Sequence, residues 1–198
     1  MIVADFRYIM QKVIFIIVFL SSFLGNILAQ EYFQLTPNGF LSNDSKDYII
    51  INNNLSLNEN IELLTKAIKS TIPLDKDAKI NISNNEIQVY AYKLDLFRMK
   101  NGPLSELIMD VDYNLNISIK DNKYKISAPI INNIGVHRFM IERMVIYANP
   151  KEHKEKKKNQ FIFDYKSKEV KNKEAKKEIE IYFNNLIGSI IKYKIEVW

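Results

Sequence analysis

The sequence predicts an α+β fold, a curved antiparallel sheet with two helices packed on one face. Three observations predict it. Between Lys79 and Ser127 apolar residues recur at every second position, the pattern of half-buried strands. Leu57 to Ile72 and Glu174 to Lys192 instead repeat at helical spacing, and they bracket the alternating region. Helices at both ends of a meander pack naturally over one side of its sheet.

Taken in order, Glu31 to Asp47 holds Thr36-Pro-Asn-Gly-Phe40 and Asn43-Asp-Ser45, turn-forming residues that read as a lead-in with little regular structure. Tyr48-Ile-Ile-Ile51 is almost continuously apolar and reads as a strand buried on both faces. Ser56 and Glu59 fit a capping box. Leu57, Ile61, Leu64, Ile68 and Ile72 then paint one stripe of a helix, which Pro73 stops. Lys79 to Ser83 and Glu86 to Phe97 flank Asn84-Asn85, residues that tolerate the positive φ of a tight hairpin. Gly102-Pro103 marks the next break.

The clearest strand follows. Met109, Val111, Tyr113, Leu115, Ile117 and Ile119 alternate with polar residues, Asp121-Asn122 turns, and Tyr124, Ile126, Ala128 and Ile130 return. Pairing across that turn sets Ile119 opposite Tyr124, Ile117 opposite Ile126 and Leu115 opposite Ala128. All the apolar groups then share one face, and a one-residue slip would separate them. His137 to Tyr147 suits a strand through Phe139, Ile141, Val145 and Tyr147, or a helix through Phe139, Met140, Arg143, Met144 and Tyr147; the strand is preferred. Asn149 to Lys158 is a charged loop, and Gln160 to Phe163 a short strand. The last helix collects Ile179, Phe183, Leu186, Ile187, Ile190 and Ile191 on one side.

The front of the chain is of another kind. Lys12, an apolar core from Val13 to Leu24 and a polar stretch ending at Ala29 are the three parts of an export signal. A membrane-spanning helix wants ~20 predominantly apolar residues, and Ser21, Ser22, Gly25 and Asn26 dilute this run. The expectation is therefore a cleaved signal over residues 1–29 and one α+β domain over 30–198, with a basic variable loop at about 149–160. Met10 opens a more typical signal than Met1 does, and Ile27 is bulkier than the residue usual three positions before a cut. The expected location is the periplasm or cell envelope, with no membrane-integral part once the signal is removed.

No cysteine occurs among the 198 residues. A disulfide framework, a thiol nucleophile, thiolate metal ligands and a lipid-modified cysteine are thereby excluded. Charge is uneven: from Asn149 to Lys177, eleven lysines face five acidic residues, while the formal balance of the whole chain is +5.

Several of these pieces resemble a known family. They are Thr36-Pro-Asn-Gly-Phe40, Asp47-Tyr-Ile-Ile-Ile51, the hairpin from Tyr113 to Pro129, Phe161-Ile-Phe-Asp164, and Phe183-Asn-Asn-Leu-Ile187 inside the last helix. Together they are similar to exported bacterial domains of unknown function described as having a TATA-binding-protein-like fold. The family pattern usually has glycine where this chain has Asn122, and asparagine can adopt the same positive φ. The resemblance implies that fold and an envelope setting. It brings no activity, substrate or site residue, and an exported protein does not meet nucleic acid.

Candidate sites are few. Lys151, Lys154, Lys156, Lys157 and Lys158 could grip an anionic partner such as lipid phosphate, though Glu152 and Glu155 dilute the potential. Tyr90, Tyr92, Tyr113 and Tyr124, with Phe97 and Phe139, could line a pocket between the sheet and the last helix. Asp110 and Asp112 point to one side of a strand and read as the wet face of the sheet rather than as paired catalytic carboxylates. His137 and His153 are the only histidines, too few for a zinc site without added carboxylates. The function expected is a non-catalytic binding or interaction module of the cell envelope, without cofactor, meeting an envelope protein or an anionic surface. The alternative is a carrier of a small apolar or lipid-like ligand between sheet and C-terminal helix, and a distant third is an envelope hydrolase.

Overall fold

Residues 32–72, 78–100, 106–136, 143–147, 161–164 and 166–193 are described by the structure, a computed structural model, with backbone alone at 99–100 and 143–147. The signal segment, Pro73, Gly102-Pro103, His137, Phe139 and the lysine-rich loop lie outside the described residues.

The lead-in is not irregular. Gln34–Thr36 (β1) and Gly39–Leu41 (β2) form a small antiparallel hairpin. The Thr36 hydroxyl donates to the Gly39 carbonyl at 2.7 Å and accepts the Asn38 N–H at 3.2 Å. Gly39 sits at φ +107°, a backbone region that side chains disfavour. Phe33, Leu35 and Phe40 are buried, so this hairpin belongs to the core. Its turn residues advertise a loop, but the three apolar residues around them decide its place.

Tyr48–Asn52 (β3) precedes helix α1 (Leu57–Thr71). Ser56 caps α1 and Glu59 reaches back, completing the predicted capping box; the Ser56 N–H donates to Glu59 Oε2 at 2.8 Å. Five further strands follow: β4 (Lys79–Ser83), β5 (Glu86–Lys100), β6 (Glu106–Lys120), β7 (Lys123–Ser127) and β8 (Ile130–Val136). The described chain continues with β9 (Arg143–Tyr147), β10 (Phe161–Phe163) and helix α2 (Lys173–Lys192). One sheet runs β10-β9-β8-β6-β5-β4, and β7 and β3 extend it beside the C-terminal half of β6. All its pairs are antiparallel except β10 with β9.

The predicted register holds at Ile119 with Tyr124 and Ile117 with Ile126, and Asn122 turns at φ +63°. Leu115 does not pair with Ala128. The chain breaks at Ala128-Pro129, the Ala128 N–H goes to the Asp47 carbonyl at 2.7 Å, and β8 resumes along the other half of β6. Proline cannot donate to a ladder, so one long return strand becomes two. Asn84-Asn85 turns without positive φ.

One face of β5 and β6 carries Ile87, Val89, Ala91, Val111, Tyr113, Leu115 and Ile117, all buried. Leu64, Ala67 and Ile68 of α1 and Ile179, Phe183 and Ile187 of α2 join them in a single core. The two helices touch each other, α1 resting on β6 and α2 on β5. The α+β layout predicted from spacing is the one observed.

Candidate functional site

The four candidate tyrosines do not converge. Tyr113 pairs with Ala91 on the helix-facing side of the sheet, and Tyr124 is buried on that side opposite Ile119. Tyr90 and Tyr92 point to the opposite face, by the period of two along β5; Tyr90 is 38% exposed. Burial pushes the Tyr124 phenol up to about 12, helped by neighbouring Tyr32.

Between the sheet and α2, described aromatic side chains pack together. Phe183 meets Tyr113 edge-on with ring centroids 4.9 Å apart, and Phe40 packs on Phe183 at 5.2 Å. The hydroxyls of Tyr113 and Tyr182 lie 2.9 Å apart in a hydrogen bond, and burial raises both phenols above their ordinary range. A buried hydroxyl needs such a partner, and each supplies the other's.

Asp110 corrects the wet-face expectation, for it is only 1% exposed. The reason is a bulge. Between the pairs Lys93–Val111 and Phe97–Met109, β5 spends three residues where β6 spends one, and Asp95 adopts φ +52°. The Asp95 N–H, displaced from the ladder, donates to Asp110 Oδ1 at 2.8 Å, and the Tyr92 hydroxyl donates to Oδ2 at 3.2 Å. Burial, then the Asp110 carboxylate, push the Tyr92 phenol up to about 12. Asp112, opposite Tyr92 and Asn133, is half-buried on the same side. Asp110 thus holds backbone that the bulge takes out of the β5–β6 register.

The motifs singled out in sequence hold the frame. Asn184 inside α2 is buried, its Oδ1 accepting the N–H groups of Tyr32 (2.8 Å) and Phe33 (2.9 Å) and its Nδ2 donating to the Phe33 carbonyl (2.8 Å). Asp121, in the hairpin turn, accepts the Leu57 N–H at 2.7 Å and so caps α1 from another element. Asn60 is buried beside it, donating to the carbonyls of Leu55 (3.1 Å) and Lys120 (3.3 Å). Asp164 accepts the N–H groups of Lys166 and Ser167 and pairs with Lys171 at 2.7 Å, which holds its carboxyl well below the usual carboxylate range.

The place with uncommitted chemistry is β3, and sequence reasoning missed it. A strand buried on both faces was expected; β3 is instead an edge strand, paired with β7 alone among the described residues. Ile49 and Ile51 lean on the core, whereas Ile50 is 53% exposed. The Ala128 N–H reaches the Asp47 carbonyl, and the Asn53 N–H reaches the Asn122 carbonyl at 2.8 Å. Ladder bonds alternate along an antiparallel strand, so the odd-numbered residues address β7. The N–H and C=O groups of Tyr48, Ile50 and Asn52 consequently face the outer edge.

Beside the start of β3 lies an open cleft of 310 Å³ lined by Tyr32, Ser42, Asn43, Asp44, Lys46, Tyr48, Ile49 and Ile50. A tight loop walls it: the Ser42 N–H donates to the Lys46 carbonyl at 2.7 Å, the Ser45 N–H to the Ser42 carbonyl at 2.8 Å, and Ser45 takes φ +59°. The ammonium groups of Lys46 and Lys125 stand 5.8 and 5.6 Å from the Tyr48 ring centroid, within cation–π reach. The uninterrupted Tyr-Ile-Ile-Ile run hid this edge, because edge and centre differ by a neighbour that local pattern does not encode.

No family model matches the chain, and no curated protein matches it. Two solved structures are similar. One is a DUF4468 family protein from Bacteroides ovatus, at 10% identity and a TM-score of 0.48, covering 76% of this chain and 88% of that one. The other is a TBP-like protein from Parabacteroides distasonis, at 15% identity and a TM-score of 0.42, covering 74% and 92%. Their descriptions are of the kind that the sequence resemblance names; the α+β architecture itself rests on the strand pairing given above.

Proposed function

We propose that the chain is an exported, non-catalytic interaction module of the bacterial cell envelope, and that it takes its partner as an added strand along the outer edge of β3. The observation that carries this reading is the outward-facing backbone of Tyr48, Ile50 and Asn52 next to an open cleft. An extended segment laid there gains main-chain hydrogen bonds, while Ile50 and the cleft read its side chains. Export is supported by the basic, apolar and polar parts of residues 12–29. No helix among the described residues is long and apolar enough to cross a membrane. The lysines at 151, 154, 156, 157 and 158 are proposed as a second, electrostatic contact to an anionic surface.

The test is capture from envelope fractions with protein produced from the full chain and purified after export. Its mass should correspond to a start at Gln30, and a product in the cytoplasm that retains residues 1–29 overturns the export reading. Captured partners should be lost with Ile50→Pro, which removes one outward donor, and kept with Ile181→Lys on an exposed face of α2. Retention of every partner by Ile50→Pro sinks the β3 site. Charge reversal at Lys154, Lys156, Lys157 and Lys158 should weaken association most at low salt.

A further inference from the structure

The edge of β3 is complementary to itself, and we propose that its occupant is the β3 strand of a second copy of this chain. The inference rests on the reading of β3 as the interaction site and names the partner. Centred on Ile50, an antiparallel two-fold pair sets Ile50 against its own counterpart, Ile49 against Ile51, and Tyr48 against Asn52. The outward groups are those of 48, 50 and 52, so every position that must exchange hydrogen bonds in this register faces the new neighbour. The same register puts the half-covered Ile49 and Ile51 together on the core side, and the exposed Ile50 side chains together on the other.

Charge agrees. No residue from Tyr48 to Asn52 is charged, and the flanking pairs this register makes are Asp47 with Asn53, Lys46 with Asn54 and Asp44 with Ser56. No like charges meet. Edge strands that stay solitary are blunted by lysine, proline or bulges. The strand at the sheet's other end, β4, carries Lys79, whereas β3 has none of these devices. A five-residue pairing is small, so the dimer is weak and depends on concentration.

The absence of cysteine makes a clean test. Residues paired in this way have Cα atoms ~5.5 Å apart, within disulfide range. Ile50→Cys in the full exported chain should give a covalent dimer on oxidation, while Ile82→Cys and Ile181→Cys, at other exposed isoleucines, should not. In sedimentation equilibrium, Ile50→Lys should weaken self-association by about tenfold or more, because like charges then face each other at the two-fold axis. Mixing Ile50→Lys with Ile50→Glu should restore it, which only a pairing of 50 with 50 allows. A monomer at every concentration with no cross-link in Ile50→Cys, or equal cross-linking at 50, 82 and 181, overturns the proposal. If the protein is monomeric yet Ile50→Pro still abolishes capture from the envelope, a foreign strand fills the edge; the second-copy inference then fails and the β3 site stands.

Discussion

Asn184 holds Phe33 by both polar groups of its backbone, donating to the carbonyl at 2.8 Å and accepting the N–H at 2.9 Å. Two turns of α2 thereby stand in for a strand neighbour: Glu180 Oε1, one turn earlier, accepts the Leu35 N–H at 2.7 Å and is paired with Lys176. The segment ahead of β1 is fastened to a helix by side chains instead of to the sheet by a ladder.

Asn184→Ala should therefore cost about 2–4 kcal/mol, since it leaves buried backbone groups of Tyr32 and Phe33 without partners. Asn185→Ala, at the exposed neighbouring position, should stay within ~0.5 kcal/mol. Urea denaturation of the two variants checks both values, and equal losses would refute the role given to Asn184.

Two side chains from different elements cap one helix. Ser56 takes the Glu59 N–H of α1 and Asp121 takes that of Leu57. Asp121→Ala and Ser56→Ala should each lose about 1 kcal/mol. Asp121→Asn, which keeps an acceptor, should lose less. Unfolding curves followed by circular dichroism measure the differences.

Asp164 makes stability pH-dependent. Its folded pKa lies below the unfolded value of roughly 3.9. Its contribution is thus complete above that value and is lost as pH falls towards the folded one. Asp164→Ala should lower the Tm at neutral pH, and the gap from the parent should close as the pH drops below about 4. Thermal scans across that range test it; a gap that stays constant rules out the ionised carboxylate as the cause.

At the bulge, Asp110→Ala should cost about 1–3 kcal/mol by stranding the Asp95 N–H. It should also lower the Tyr92 pKa from about 12 part of the way to its ordinary value, because burial remains after the carboxylate is gone. Ultraviolet titration of tyrosine, with Tyr92→Phe identifying the signal, reads this directly.

Much of the frame was legible because alternation and helical spacing encode which face is buried. The register of Ile117 and Ile119 with Ile126 and Tyr124 followed from that rule, as did α1 with its capping box. Non-local facts were not legible. Phe33, Leu35 and Phe40 reach the core through a hairpin whose composition advertises a loop. Ile50 is exposed because it points away from the core that Ile49 and Ile51 lean on, and the edge beside it is open because no described strand lies beyond β3; neither fact is written in Tyr48-Ile-Ile-Ile51. Asp110 is buried because three residues of β5 bulge over it. The four tyrosines divide for a simpler reason: Tyr90 and Tyr92 are even-numbered and Tyr113 pairs with odd-numbered Ala91, so the sheet itself separates them.

The clasp between Asn184 and Phe33 joins residues 151 positions apart. During synthesis Tyr32 and Phe33 wait for almost everything else before they have a seat, and the β1–β2 hairpin behind them stays unmoored until α2 has been made.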